Sequence, residues 1–267
     1  MVDVRTPAEI RRNRILRVLP RAVQDSLREG LRRVPLPMGT VLHRPGEPLT
    51  HVYFPISGVI SMLTVLGDGS AVEIATVGNE GMVDLAVFLG LGNSESRLLV
   101  QVPGEAFRMP IEDFQLKLAE SPILRSVLGT YIFELFTLVA QSSACNRKHS
   151  IAQQCARWIL MTHDRVDSDE FPITHEFLAE ILGAMRPSVT HALRPLKLAG
   201  VLDYRRGRMK VLDRPGLEAQ SCECYGLIRD RFDRMPGATA GAGRLLSSGL
   251  RATKKDTATA RGSEAHR

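Results

Sequence analysis

The sequence predicts an α+β protein with three successive parts: an N-terminal antiparallel β-roll, one long helix, and a small helical domain that ends in a β-hairpin. Three observations predict this division. Turn signals recur between Val34 and Pro110, they stop after Pro122, and a basic segment with helical and then strand-like patterns follows Thr174. A chain of 267 residues is long enough for two domains that each bury a core.

The charge of the chain is distributed unevenly. The net charge is +6, yet residues 34–185 carry a net charge of −8, residues 186–214 carry +6 and residues 1–33 carry +5. An acidic body with one short basic segment is typical of a protein that reads nucleic acid. A solvated basic face is the alternative that charge alone favours.

The N-terminal sequence and the cysteine content predict a cytoplasmic protein. Five arginines lie in the first 20 residues without an apolar run behind them, which argues against a secretory signal. No 18 consecutive residues are apolar, since Glu134 interrupts the most apolar segment, residues 131–140. Four cysteines fit a reducing compartment, and we expect no membrane association.

Residues 34–120 predict the β-roll, preceded by an N-terminal helical segment at residues 1–33. Runs rich in Val, Ile, Leu and Thr at residues 59–66, 71–77 and 98–102 predict strands. Turn signals such as Ser57-Gly58 and Pro103-Gly104-Glu105 separate them and indicate an antiparallel sandwich or barrel.

Residues 121–147 predict one long helix. Its apolar residues alternate at spacings of four and three, which gives a seam made of Leu124, Leu128, Tyr131, Leu135 and Leu138. Such a seam more often packs inside its own subunit than against another. A second helical segment covers residues 151–162.

The sequence pattern of residues 148–235 predicts a helix-turn-helix domain. Thr174 is suited to cap a helix that buries Phe177, Leu178, Ile181 and Leu182, and Gly183 ends it. A second helix begins near Arg186, with an inner face of Val189, Ala192, Leu193 and Leu196. Its outer face presents hydrogen-bond donors at Arg186, Ser188, Thr190, His191 and Arg194. Pro195 lies deep in this helix and should kink its C-terminal half.

A β-hairpin with a basic tip, Arg205-Arg206-Gly207-Arg208, is predicted directly after the second helix. The arrangement is that of a winged helix, in which the helix contacts bases and the wing contacts phosphates. The peak of positive charge coincides with both elements, so that binding to double-stranded DNA becomes the favoured interpretation.

With these features, the sequence resembles the Crp/Fnr family of bacterial transcriptional regulators. The resemblance rests on the β-roll, on the long helix at residues 122–145, on the motif Ile173-Thr174-His175-Glu176-Phe177-Leu178-Ala179-Glu180, and on Gly183 with Arg186-Pro187-Ser188-Val189-Thr190. It implies a cyclic-nucleotide-binding-like jelly roll, a dimerisation helix that uses the seam, and a C-terminal winged helix-turn-helix. The implied assembly is a homodimer on a palindromic promoter, with RNA polymerase as a candidate partner.

The resemblance also implies the site residues. Arg186 is the candidate for a bidentate contact to guanine. The full set of candidate DNA contacts is Thr174, Arg186, Ser188, Val189, Thr190, His191, Arg194, Arg205, Arg206 and Arg208.

Asp84 and Arg97 correspond to the acid and the arginine that hold cyclic AMP in some members of the family. Val83 and Leu98 replace the usual glycine and hydroxyl residue, which argues against cyclic AMP as the signal. The alternative is a loop acid and a solvated strand-end arginine. An iron-sulfur cluster is not expected, because the first cysteine is Cys145. Haem stays open, with His43, His51 and His149 available.

Neither a metal site nor a catalytic site is expected. Cys145, Cys155, Cys222 and Cys224 could supply four thiolates, but a Cys-x-Cys pair lacks the usual zinc spacing, and free thiols are the favoured interpretation. Ala179 stands where a zincin-like pattern at His175-Glu176 needs its second histidine, and no nucleotide-binding loop or hydrolase elbow occurs.

The alternative to a DNA-binding regulator is an adaptor whose helix-turn-helix binds protein. Residues 236–267, rich in Gly, Ala, Ser and Thr, predict a disordered basic tail.

Overall fold

The computed structural model describes residues 7–234. Within them, five antiparallel strands form one sheet with the order β1-β5-β3-β4, and β2 pairs with β5. The strands are β1 (Arg32–Leu36), β2 (Val41–His43), β3 (His51–Val65), β4 (Ala71–Val77) and β5 (Ser96–Pro110). This sheet is the predicted β-roll. The predicted tail at residues 236–267 lies outside the described residues.

Two of the predicted turns are not turns. Ser57-Gly58 and Pro103-Gly104-Glu105 lie inside β3 and β5, where the register of the pair shifts around Ser57. Gly58 has a φ of +81°, and a Cβ on Gly104 would lie 2.3 Å from the carbonyl oxygen of Ser57. The glycines therefore allow the two backbones to approach at a bulge, which bends the long strands without ending them.

Short helices surround the sheet. The N-terminal segment forms α1 (Pro7–Ile10), α2 (Arg14–Val18) and α3 (Arg21–Arg28), and a 3-10 helix spans Leu85–Leu89. A further helix, α4 (Ile111–Glu120), was not predicted from the sequence. It buries Ile111, Phe114 and Leu118 and follows β5 directly, so no turn signal marks its start.

The long helix α5 spans Pro122–Lys148, as predicted. The prediction that Leu124, Leu128, Tyr131, Leu135 and Leu138 form a dimer seam is wrong, because all five are at most 5% exposed within their own chain. Phe133 and Phe136, on another face of α5, are 62% and 69% exposed. By length and apolar composition alone α5 could cross a membrane, but its inner seam packs in the core of its own chain.

The C-terminal domain contains the predicted helix-turn-helix and hairpin. Its helices are α6 (Ile151–His163), α7 (His175–Leu182), α8 (Arg186–Leu198), α9 (Arg214–Gln220) and α10 (Cys224–Arg234). A three-stranded antiparallel sheet with the order β6-β8-β7 consists of β6 (Glu170–Pro172), β7 (Leu202–Arg205) and β8 (Arg208–Val211). The strand β6 was not part of the predicted hairpin and pairs with β8 at the edge of this sheet.

The loop formed by residues 78–81 of the β-roll contacts the C-terminal domain. Glu80 and Arg165 form an ion pair in which both side chains are 6% exposed, with Arg165 Nη2 2.8 Å from Glu80 Oε1. Burial alone would raise the pKa of Glu80, but the charge and hydrogen bonds of Arg165 bring that pKa below its ordinary value. A Cβ on Gly81 would lie 2.1 Å from the hydroxyl of Tyr131, so this glycine leaves room for α5.

A second contact joins β4 to α6. Trp158 Nε1 donates a hydrogen bond to Glu73 Oε1 at 3.0 Å, and Ser61 Oγ donates one to Glu73 Oε2 at 2.7 Å. Burial raises the pKa of Glu73 to about 7 in spite of these two bonds. Glu73 therefore takes up a proton on folding at mildly acidic pH.

Replacing Arg165 by Met should lower the free energy of unfolding by about 3 to 5 kcal/mol, because Glu80 is then left buried without its counter-charge. Chemical denaturation measures the loss. The control Lys117→Met removes a partly exposed ion pair with Glu120 and should cost less than about 1 kcal/mol. Adding Glu80→Gln to Arg165→Met should recover part of the loss. Equal losses for Arg165→Met and Lys117→Met would contradict the assignment.

Glu73 should make the protein less stable as the pH rises from about 4.5 to about 7, because its folded-state pKa lies above its unfolded value. Glu73→Gln should reduce the proton uptake on folding in this window by about one. Denaturation at a series of pH values measures that uptake. The exposed-site control Glu112→Gln should leave the slope as it is, and an unchanged slope in Glu73→Gln would contradict the prediction.

Candidate nucleic-acid interface

Local sequence signals fix the geometry of α7 and α8. The Thr174 hydroxyl accepts a hydrogen bond from the Phe177 amide at 3.1 Å and caps α7. Gly183 ends α7 with a φ of +60°, a conformation that favours glycine. The helix α8 then begins at Arg186 and continues through Pro195 to Leu198.

The exposed face of α8 carries most of the predicted base contacts. Arg186, Thr190, His191 and Arg194 are exposed, and Ser188 is half-buried. Val189 is fully buried in the core of the domain, so its assignment as a DNA contact is wrong. Its apolar side chain belongs to the inner face that holds α8 against α7.

The wing presents three exposed arginines. The hairpin turn has Arg206 at a φ of +48° and Gly207 at +76°, and the Gly207 carbonyl accepts a hydrogen bond from the Ile173 amide at 2.8 Å. Arg208 pairs with Glu170, and Arg205 lies 3.5 Å from Asp203. Among the described residues Arg206 forms no ion pair, which leaves its guanidinium available to a phosphate.

An open cleft of about 350 Å³ lies between the start of α8 and the wing. Arg186 lines one side, the wing arginines line the other, and Thr174 lies between them. Glu176 is the one acidic residue among the lining side chains. The cleft therefore brings a candidate base contact and candidate phosphate contacts together.

The side chains that support this cleft were not predicted from the sequence. The rings of His175 and Tyr204 meet edge to face with centroids 4.5 Å apart, and Lys197 Nζ lies 4.6 Å from the centre of the Tyr204 ring. His175 Nδ1 lies 3.0 Å from the Thr190 hydroxyl, which limits the freedom of Thr190. Burial, and then the charge of Arg186, lower the pKa of His175, so its ring is neutral at neutral pH. An aromatic residue directly before the wing arginines was the available signal for Tyr204.

Two family models match the chain. Residues 33–121 match the cyclic nucleotide-binding domain, and residues 153–220 match the Crp-like helix-turn-helix domain, so together they cover more than half of the sequence. The chain belongs to the Crp/Fnr family of transcriptional regulators. Nothing in the comparisons favours the adaptor alternative, and the family is one of regulators and not a class of enzymes.

Known members of the Crp/Fnr family show similarity along most of the chain. The global nitrogen regulator of Synechococcus elongatus is 24% identical over 193 residues, which are 68% of this chain and 86% of that protein. The solved structure of FixK2 from Bradyrhizobium japonicum has a TM-score of 0.60 at 12% identity and covers 72% of this chain and 98% of its own. The solved structure of the c-di-GMP-responsive regulator CLP of Xanthomonas campestris has a TM-score of 0.56 at 17% identity. The match covers 72% of this chain and 99% of the CLP chain.

The β-roll of this Crp/Fnr regulator has a partly open cavity of about 250 Å³ next to α5. Asp84 lines it at 5% exposure, and its Oδ1 has no hydrogen-bond partner within the described part of the chain. Burial raises the pKa of Asp84 to about 7. The other lining residues are two serines and seven apolar residues.

The structure does not bring Asp84 and Arg97 together at this cavity. Leu98 lines the cavity, and because successive residues of a strand point to opposite faces, Arg97 points away from it. The cavity therefore lacks the arginine that would hold a cyclic phosphate.

The four cysteines of this Crp/Fnr regulator are buried and free of disulfide bonds. The set of four thiols considered from the sequence is not brought together, because Cys155 lies in the main core. Cys145, Cys222 and Cys224 form a separate cluster.

Proposed function

We propose that this Crp/Fnr regulator binds a palindromic promoter as a homodimer, with Arg186 reading a guanine and the wing arginines contacting phosphates. The observation that carries the proposal is the cleft that Arg186 shares with Arg205, Arg206 and Arg208. Arg186 is exposed in the first turn of α8, the position from which a recognition helix reaches base edges. The two half-sites would lie about one helical turn apart.

The dimer would form through the exposed face of α5. Gly129, Phe133, Phe136 and Ala140 follow the spacing of four, three and four residues that suits a helix seam. Phe133 and Phe136 are both more than 60% exposed, which is unusual for phenylalanine in a soluble protein. Glycine and alanine at the two ends would let the helix of a second copy approach closely. This seam lies about 150° around the helix from the buried one, given 100° per residue.

The signal would bind in the β-roll cavity and shift α5 against it. The cavity is largely apolar with one carboxyl group, which favours a small neutral or weakly basic ligand over a cyclic nucleotide. Ile132 of α5 lines the same cavity, so that a ligand there would contact the helix that carries the dimer face. We place this regulator in the cytoplasm, with RNA polymerase as a candidate partner and no catalytic role.

The division of labour between helix and wing can be tested with two variants. On a site selected from a random DNA pool, Arg186→Ala should weaken binding by about 1 to 3 kcal/mol and should reduce discrimination at one base pair. Arg206→Ala should weaken selected and random DNA equally and should lower the salt dependence of binding. Fluorescence anisotropy at several salt concentrations measures both effects. Equal losses for both variants on both DNAs would contradict the proposal, and no DNA binding at all would favour the adaptor.

The dimer face can be tested by Phe136→Glu. A carboxylate at the centre of the seam should convert the dimer into a monomer, since burying two charges there is costly. Multi-angle light scattering coupled to size-exclusion chromatography measures the molar mass of each variant in solution. The control Leu116→Glu changes a 62% exposed residue on α4 and should remain a dimer. A Phe136→Glu protein that stays dimeric, or a Leu116→Glu protein that dissociates, would contradict the assignment.

A further inference from the structure

Three thiols and one imidazole meet where the long helix α5 ends against α10. Cys145 lies in the last turn of α5 and His149 caps that helix, while Cys224 is the first residue of α10 and Cys222 lies two residues before it. Cys145 Sγ lies 3.5 Å from Cys222 Sγ, and Cys224 Sγ lies 3.7 Å from His149 Nδ1. All four ligand atoms lie within 4.8 Å of one another.

These distances fit a single metal ion. With Zn–S bonds of about 2.3 Å and a Zn–N bond of about 2.0 to 2.1 Å, the ligand atoms of a tetrahedral site lie about 3.5 to 3.8 Å apart. Both measured pairs agree with that spacing. Three soft thiolates and one imidazole also form a donor set that binds zinc in preference to harder divalent cations such as Mg²⁺ and Ca²⁺.

The surroundings of the four residues match those of a metal site as well. His149 Nε2 lies 3.1 Å from a carboxylate oxygen of Glu223, which leaves Nδ1 facing the thiols. A ligating histidine commonly donates its second ring N–H to a carboxylate, which fixes its tautomer and orientation. Gln141 Nε2 lies 3.0 Å from Cys224 Sγ and donates a hydrogen bond to it. Such N–H donors stabilise the negative charge of a coordinating thiolate.

We propose that Cys145, His149, Cys222 and Cys224 form a mononuclear zinc site of the Cys3His type. The expectation of free thiols rested on the Cys-x-Cys spacing and on Cys155 as the fourth ligand. The structure instead supplies His149, four residues after Cys145 and therefore on the same side of the helix end. Binding exchanges the thiol protons for the ion and involves no change of oxidation state.

The proposed site is structural because the protein fills all four coordination positions. The ion would fasten the end of α5 to α10, the last described helix of the DNA-binding domain. Thiols of this cluster are between 0% and 4% exposed, so the ion would be shielded from solvent.

The test is the metal content of the full-length chain, purified without a polyhistidine tag and under a reductant that does not bind metal. We expect one zinc per chain by elemental mass spectrometry. After removal of the metal with a chelator, Co²⁺ should restore one ion per chain with the visible absorption of tetrahedral, thiolate-bound cobalt. Cys222→Ser and His149→Ala should each lose stoichiometric zinc. The matched control Cys155→Ala removes a buried thiol outside the cluster and should keep it.

Glu223→Gln provides a second variant that leaves the four ligands in place. It should retain one zinc at saturation but should bind about 10- to 100-fold more weakly in a chelator competition. Circular dichroism of every variant separates loss of metal from loss of fold. A folded wild-type chain that neither contains zinc nor takes up Co²⁺ would overturn the proposal. Equal loss of zinc in folded Cys155→Ala and Cys222→Ser would also overturn it. Because metal content is measured without DNA, the result is independent of the promoter-binding proposal.

Discussion

The buried ion pair between Glu80 and Arg165 is the constraint on which the placement of the two domains depends. Both side chains are almost fully buried, so each charge is tolerated only while the other is in place. The loop that carries Glu80 is held from other sides as well, since the Asn13 side chain donates to the Gly81 carbonyl at 2.8 Å and the Tyr131 hydroxyl donates to the Met82 carbonyl at 3.0 Å. One short loop of the β-roll thus meets the N-terminal helices, the long helix and the DNA-binding domain.

Short-range signals made much of the DNA-binding domain predictable. A capping threonine, a glycine with positive φ and a basic hairpin act within a few residues, so Thr174, Gly183 and the turn at Arg206-Gly207 formed the expected structures. The sign of the local charge pointed in the same direction. Pattern, capping and charge agreed, and such agreement makes a local prediction dependable.

The misjudged features are those that depend on contacts between distant residues. Gly58 and Gly104 look like turn residues in a single strand, and only the pairing of β3 with β5 shows that they face each other across a bulge. The period of the apolar residues in α5 was correct, but a helix with two apolar faces does not reveal which face its own β-roll covers. His149 and Cys222 are 73 residues apart, and no spacing rule connects them.

The hydrogen bond between the Gly207 carbonyl and the Ile173 amide ties the wing tip to the residue that precedes the capped helix α7. This bond constrains the position of the hairpin relative to the helix pair, so the spacing between the start of α8 and the wing is largely set by the protein backbone. A promoter with one base pair inserted between its half-sites could not be accommodated by stretching this unit. In the proposed α5 dimer the whole subunit would have to rotate about α5, so tolerance of half-site spacing would be a property of the dimer and not of the helix-turn-helix and its wing.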